Sequence, residues 1–171
     1  MRHYAVFLRA VNVGGTGKLR MDDLLKMASA IGGTAPKTHG VSGNLVLSTD
    51  DSAEQVQMTL EEQLLAYARK PVGVLVRTLP QLDALIAANP FPEANPSFLI
   101  CLLTDEDIPD PLLPEARHHR TELIAPGPGA IYLHYPDGQG RSRLILPQMK
   151  SGTARNMNTI RKMRDLLAVR R

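Results

Sequence analysis

Any chemistry in this chain has to come from short polar stretches that set arginine beside asparagine, serine or glycine. One is HYPDGQGRSRL, residues 134–144. Pro136, Asp137 and Gly138 mark a turn, and Gly140 then presents Arg141, Ser142 and Arg143. Two guanidinium groups around a hydroxyl suit an anion, because each can grip phosphate or carboxylate through paired hydrogen bonds. Another is GTARNMNTIRKM, residues 152–163, where the last helix is expected to begin near Asn158 or Thr159. A helix start offers free amides and the positive end of the dipole. Arg155 precedes it, and Asn156 and Asn158 flank it. Asparagine is also a good N-cap, which accounts for one asparagine better than for Arg155 with two. Arg141, Ser142, Arg155, Asn156 and Asn158 thus form a candidate anion-binding corner. The competing account is that they tie the C-terminal helix to the hairpin loop.

Two more stretches lie in the first half. LRAVNVGGTGKLRM, residues 8–21, follows an apolar run and precedes an amphipathic one, the order of a phosphate-binding P-loop. The motif needs G-x-x-x-x-G-K-[ST]. Aligned on Gly17–Lys18, Asn12 stands at the first glycine and Leu19 at the hydroxyl that holds Mg²⁺. Asp22 and Asp23 open the helix and would repel a phosphate there. The stretch is therefore not an ATP-type P-loop. It is a turn in which Gly14 and Gly15 permit close backbone approach, with Arg9, Asn12 and Lys18 beside it. Ser42–Gly43–Asn44 consists of ordinary turn residues and lacks the G-x-S-x-G of a nucleophile elbow. Arg9, Asn12, Gly14 and Asn44 join the corner residues as candidate ligand-binding positions. One shared site requires the Arg9–Gly15 loop to approach Arg155–Asn158.

Other chemistries find little support. His134, Asp137 and Ser142 are the residue types of a hydrolase triad, but adjacency in sequence says nothing about triad geometry. His118–His119 lack the i, i+4 spacing of a zinc helix, and no C-x-x-C occurs. No metal and no cofactor is expected, and the catalytic residues, if there are any, are not named by the sequence. Cys101, the single cysteine, sits in the apolar run FLICLLT and reads as a buried, inert thiol.

The elements that position these stretches follow from periodicity. Residues 3–10 predict a strand and 21–31 a helix, with Leu24, Leu25, Ala28 and Ile31 at helical spacing and Gly32–Gly33 as its stop. A strand pair surrounds Ser42–Asn44. Asp50–Asp51–Ser52 caps a helix running to about Ala68, Pro71 stops it, and 72–78 is a strand. In the second half, 80–88 predicts a helix and 98–104 a central buried strand. TELIAPGPGAIYLHYP predicts a hairpin turning at Gly127–Pro128–Gly129. The last helix buries Ile160, Met163, Leu166 and Leu167. The first half is β-α-β-β-α-β, the ferredoxin-like order, and the second partly echoes it. The expected class is α+β, with two ferredoxin-like subdomains, 1–78 and 79–171, packed together.

Composition sets the outer limits. The 171 residues include 43% hydrophobic and 22% charged, as in an ordinary globule. No apolar run reaches the roughly 18 residues of a membrane span, and MRHYAVFLRA is too short in its apolar part for a secretory signal. A lone cysteine permits no internal disulfide, which fits the cytoplasm. From Arg141 onward, nine Lys or Arg face one acid, Asp165. That asymmetry suits an anionic partner, or a solvated helix surface. Aromatics make up 4% with no tryptophan, which is poor for an RNA-stacking sheet.

LRAVNVGG, VSGN, NPF, YLHYPDGQGRSRL and TARNMNT, in this order, resemble the bacterial "domain of unknown function 1697" family over about Tyr4 to Leu167. The resemblance implies an α+β fold with two ferredoxin-like subdomains. It brings no reaction, since the family's members are described as uncharacterised cytoplasmic proteins. The family usually has glycine where Ala10 stands and often an aromatic where Met157 stands, and its segment between Leu144 and Thr153 is usually longer. Three function classes stay open: a small-molecule site for a phosphorylated or carboxylated ligand, open to catalysis; a module binding nucleic acid or an acidic partner through the basic C-terminal face; and a structural module whose polar motifs fix loops. The first is favoured, because the motifs sit in loops and mix arginine with asparagine and glycine rather than forming basic runs.

Overall fold

A computed structural model describes residues 1–9 and 18–170. Strand β1 (Arg2–Leu8) leads to helix α1 (Met21–Ala30), then β2 (Thr34–His39), β3 (Asn44–Thr49), α2 (Ala53–Ala68) and β4 (Val74–Arg77). These strands form an antiparallel sheet in the order β2-β3-β1-β4. The alternation of strand side chains puts Tyr4, Val6 and Leu8 on one face with Leu45, Leu47, Val74 and Val76. Leu24, Met27 and Ala28 of α1 and Val56, Leu60 and Leu64 of α2 complete that core. Ser52 caps α2 by accepting from Gln55 N at 3.2 Å, and Arg69 ends it in the left-handed region. Tyr67 of α2 donates to Asp23 of α1 at 3.1 Å.

Helix α3 (Leu79–Ala87) precedes β5 (Leu99–Leu103), β6 (Leu123–Gly127), β7 (Ala130–His134), β8 (Thr153–Asn156) and α4 (Met157–Ala168). The second sheet is antiparallel in the order β6-β7-β5-β8. Counted from its own first strand, that is the strand order of the first sheet. Yet no α-helix links β5 to β6 or β7 to β8. Short 3₁₀ turns at Leu113–Glu115, Gln139–Arg141 and Pro147–Lys150 stand there instead, because the prolines at 109, 111 and 114 and at 147 break longer helices. Ile100, Leu102, Ile131 and Leu133 pack on Leu112, Tyr135, Leu144 and Leu146. The fold is α+β, with two four-stranded antiparallel sheets.

Contacts divide the chain into two compact units, Met1–Leu79 with Met163–Arg171, and Pro80–Lys162. The buried strand expected at 98–104 is β5, whose every residue is buried. The hairpin turning at Gly127–Pro128–Gly129 joins β6 to β7. One element departs from the sequence expectation. The segment before the last helix is not a free loop but strand β8, and the helix begins at Met157.

Candidate functional site

Strand β8 places Arg155. In the β5–β8 ladder Arg155 is the direct partner of Cys101, and in the β5–β7 ladder Cys101 is the partner of Tyr132. Direct partners share a face, so phenol, thiol and guanidinium stand in one row across the sheet. Tyr132 donates to the Leu85 carbonyl of α3. Gly127 lies under the Tyr132 ring, where a Cβ would come within 2.3 Å of it. Burial pushes the Cys101 thiol up to about 12, against a smaller opposing pull from Arg161.

Arg155 itself is only 9% exposed. One of its Nη atoms donates to the Ala154 carbonyl at 2.9 Å. Burial pulls its pKa down to about 10. It still carries its charge at neutral pH, and it does so where little water can screen it.

The start of α4 adjoins this cation. Asn156 Oδ1 accepts from Thr159 N at 2.9 Å, so Asn156 is the cap residue. Met157 N donates to the Pro96 carbonyl at 3.2 Å. The exposed Asn158 amide donates to Ser97 Oγ at 3.2 Å. Chain continuity thus brings Arg155, Asn156 and Asn158 together at one junction, with Asn156 spent on the helix. Arg161, one turn further along α4, was not singled out in the sequence, because a lone surface arginine on a helix carries no signal.

Arg141 and Ser142 belong to a different cluster. Ser142 Oγ donates to Glu122 Oε1 at 2.5 Å and accepts from Leu144 N at 3.2 Å. Arg120 N donates to the other Glu122 oxygen at 2.7 Å, and His119 Nε2 donates to the Glu122 carbonyl at 2.6 Å. The Ser142 hydrogen bond, first among these, holds the Glu122 carboxyl below its usual range. The serine hydroxyl therefore already serves an anion, one the protein supplies. Glu122 is the residue that sequence reasoning missed, twenty positions away and part of no motif. Arg141 is exposed, and its side chain makes no hydrogen bond or ion pair with a described residue.

The triad types do not assemble. Asp137 accepts from Thr121 at 2.7 Å, His134 packs against the Phe91 ring, and Ser142 faces Glu122. In the first unit, Asn44 is 2% exposed and its amide donates to the His39 carbonyl at 3.0 Å, closing the β2–β3 turn. Gly43 sits at φ 81°, and a Cβ there would meet Leu8 Cβ at 2.7 Å. Arg9 N continues the ladder to the Gly73 carbonyl at 2.8 Å. Asn12 and Gly14, and with them most of the Arg9–Gly15 loop, lie outside the described residues. Leu19, expected where a P-loop hydroxyl would stand, is 7% exposed and packs in the first core.

Among the described residues, no group of three or more His, Cys, Asp or Glu could hold a metal, and no helix is long and apolar enough to cross a membrane. No curated protein matches the chain. Among solved structures, it is similar to conserved bacterial protein SP0830 from Streptococcus pneumoniae, with 21% identity and a TM-score of 0.81 over 98% of this chain and 99% of that one. At that identity the likeness speaks for the fold. A family model matches residues 1–132, a span that ends before Arg141, Ser142 and the β8–α4 junction. With that match over most of its length, the chain belongs to the family described as protein of unknown function, DUF1697.

Proposed function

We propose that the chain is a cytoplasmic binding protein for a small anion, phosphate or carboxylate, received at the β8–α4 junction. One observation carries the proposal: Arg155, a guanidinium 9% exposed, is held on a sheet strand directly before a helix start. A guanidinium held where little water screens it, directly before a helix start, adds its charge to the helix amides in attracting an anion. Burial and a lowered pKa at such a position mark functional-site candidates. Asn158 offers an exposed amide beside it, and Arg141 an exposed guanidinium elsewhere in the same unit.

The ferredoxin-like description of the subdomains belongs to the same proposal. What supports it is the β1-α1-β2-β3-α2-β4 succession with sheet order β2-β3-β1-β4, repeated as β6-β7-β5-β8 without the crossover helices. Cytoplasmic placement rests on the lone, buried cysteine.

The alternative, a module for nucleic acid or an acidic partner, draws on the exposed Arg161 and Lys162 of α4. Salt separates the two. Titration with phosphate at fixed ionic strength should stabilise the protein, whereas affinity for a single-stranded oligonucleotide should be weak and fall steeply with salt. Tight oligonucleotide binding with no response to phosphate would favour the alternative.

A further inference from the structure

The first unit holds a cavity of about 590 Å³ beside an irregularity in β2. Strands β2 and β3 lose register between Thr34 and Lys37, and Ala35 takes φ 47°. Arg170 fills the gap that this bulge opens. Its guanidinium donates to the Ala35 carbonyl, to the Val46 carbonyl at 3.3 Å and to Ser48 Oγ at 2.9 Å. Ser48 Oγ also lies 2.7 Å from His3 Nδ1. Arginine can only donate, so the serine oxygen accepts from Arg170.

The charge balance of this cavity is one-sided. Among the described residues, every atom that accepts from Arg170 is a neutral oxygen, and its Nε is buried with no partner. Burial lowers the Arg170 pKa. Lys37 lines the same cavity, and its ammonium makes no hydrogen bond or ion pair with a described residue. Among the described residues, no Asp or Glu lines the cavity. Asp50 is engaged by the Met1 amine at 3.3 Å and is not among the lining residues. Thr34, whose hydroxyl donates to the Ser48 carbonyl at 3.0 Å, and Met1 complete the lining with the apolar Pro36, Leu166 and Val169. The volume falls in the range of small-molecule sites.

We propose that this cavity, separate from the β8–α4 junction, binds a small organic anion with one carboxylate head and an apolar tail. Lys37 supplies donors to the head, Arg170 supplies fixed charge behind Ser48, and Pro36, Leu166 and Val169 cover the tail. A phosphate fits less well. It carries more charge and demands more donors, while the Arg170 Nη atoms are already committed to the bulge and Ser48.

The test uses the intact chain with octanoate as probe, octan-1-ol as the neutral analogue and inorganic phosphate as the tail-less anion, read by calorimetry and amide chemical shifts. Octanoate should bind saturably and shift amides of β2 and the end of α4. Lys37→Gln should weaken it about three- to fivefold, as for loss of one exposed charge pair. Lys37→Glu and Val169→Asp, both at exposed positions, should weaken it more than tenfold. Absence of saturable binding would overturn the proposal. So would octan-1-ol or phosphate binding as tightly as octanoate, or octanoate affinity unchanged in Lys37→Glu and Val169→Asp.

Discussion

Cys101 and Arg155 are direct partners across the β5–β8 ladder, so a thiol and a guanidinium stand on one face of the second sheet. A cation usually activates a thiol. Here burial outweighs the one opposing pull on the thiol, that of Arg161, and the thiol is pushed up to about 12. Native protein should therefore react with a disulfide reagent at neutral pH far more slowly than unfolded protein. Rapid native labelling would contradict this account.

The same shift gives a pH dependence. The unfolded thiol ionises near its ordinary 9.0, while the folded one keeps its proton to about 12. The contribution is intact below pH 9 and is lost as the pH climbs from 9 toward 12, at up to about 1.4 kcal/mol per pH unit. Denaturant melts of wild type and Cys101→Ala over that window should converge as the pH rises.

Ser142 and Glu122 form a staple between the turn after β7 and the segment before β6. Ser142→Ala should destabilise the protein by about 1–2 kcal/mol, the cost of stripping a donor from a poorly exposed acceptor. The hydrogen bond depresses the carboxyl, so its contribution is present above the ordinary 4.5 and is lost as the pH falls below that value. Ser142→Ala should flatten the acid limb of the stability profile. An unchanged limb would mean that the staple does not persist in solution.

Asn156 caps α4 through Thr159 N. Asn156→Ala should cost about 1 kcal/mol and Asn156→Ser or Asp much less. If the side chain instead served a ligand, all three changes would leave the melting temperature of the ligand-free protein alone.

Much of this fold was legible because local signals agreed with it. Ser52 is a cap in sequence and in structure, and Leu24, Ala28, Leu60 and Leu64 recur at helical spacing and are buried. Strand β8 was not legible. Thr153–Asn156 contains no apolar alternation, and its pairing with β5 is set by residues some fifty positions earlier. The burial of Arg155 was hidden for the same reason, since a charged residue in a polar run reads as surface. The Ser142–Glu122 and Arg170–Ser48 contacts span 20 and 122 positions, and polar pairs at such separations leave no periodic trace.

The P-loop question has a direct test. Leu19 is a core residue and cannot ligate Mg²⁺. No Mg²⁺-dependent hydrolysis of ATP or GTP above background is expected. Turnover that disappears in Lys18→Ala would refute this.

The central claim is that Arg155 receives an anion, and differential scanning with and without phosphate tests it most directly. With 10 mM phosphate and a dissociation constant of about 1 mM, binding would stabilise the wild type by about 1.4 kcal/mol. That corresponds to roughly 4 °C, measured against chloride of equal ionic strength. Arg155→Gln should melt lower without phosphate, because it disturbs a buried position, and should lose the phosphate-dependent rise. Arg155→Lys, which keeps the charge, should retain part of it. A full phosphate response in Arg155→Gln, measured from its own baseline, would contradict the account and leave Arg155 a structural residue.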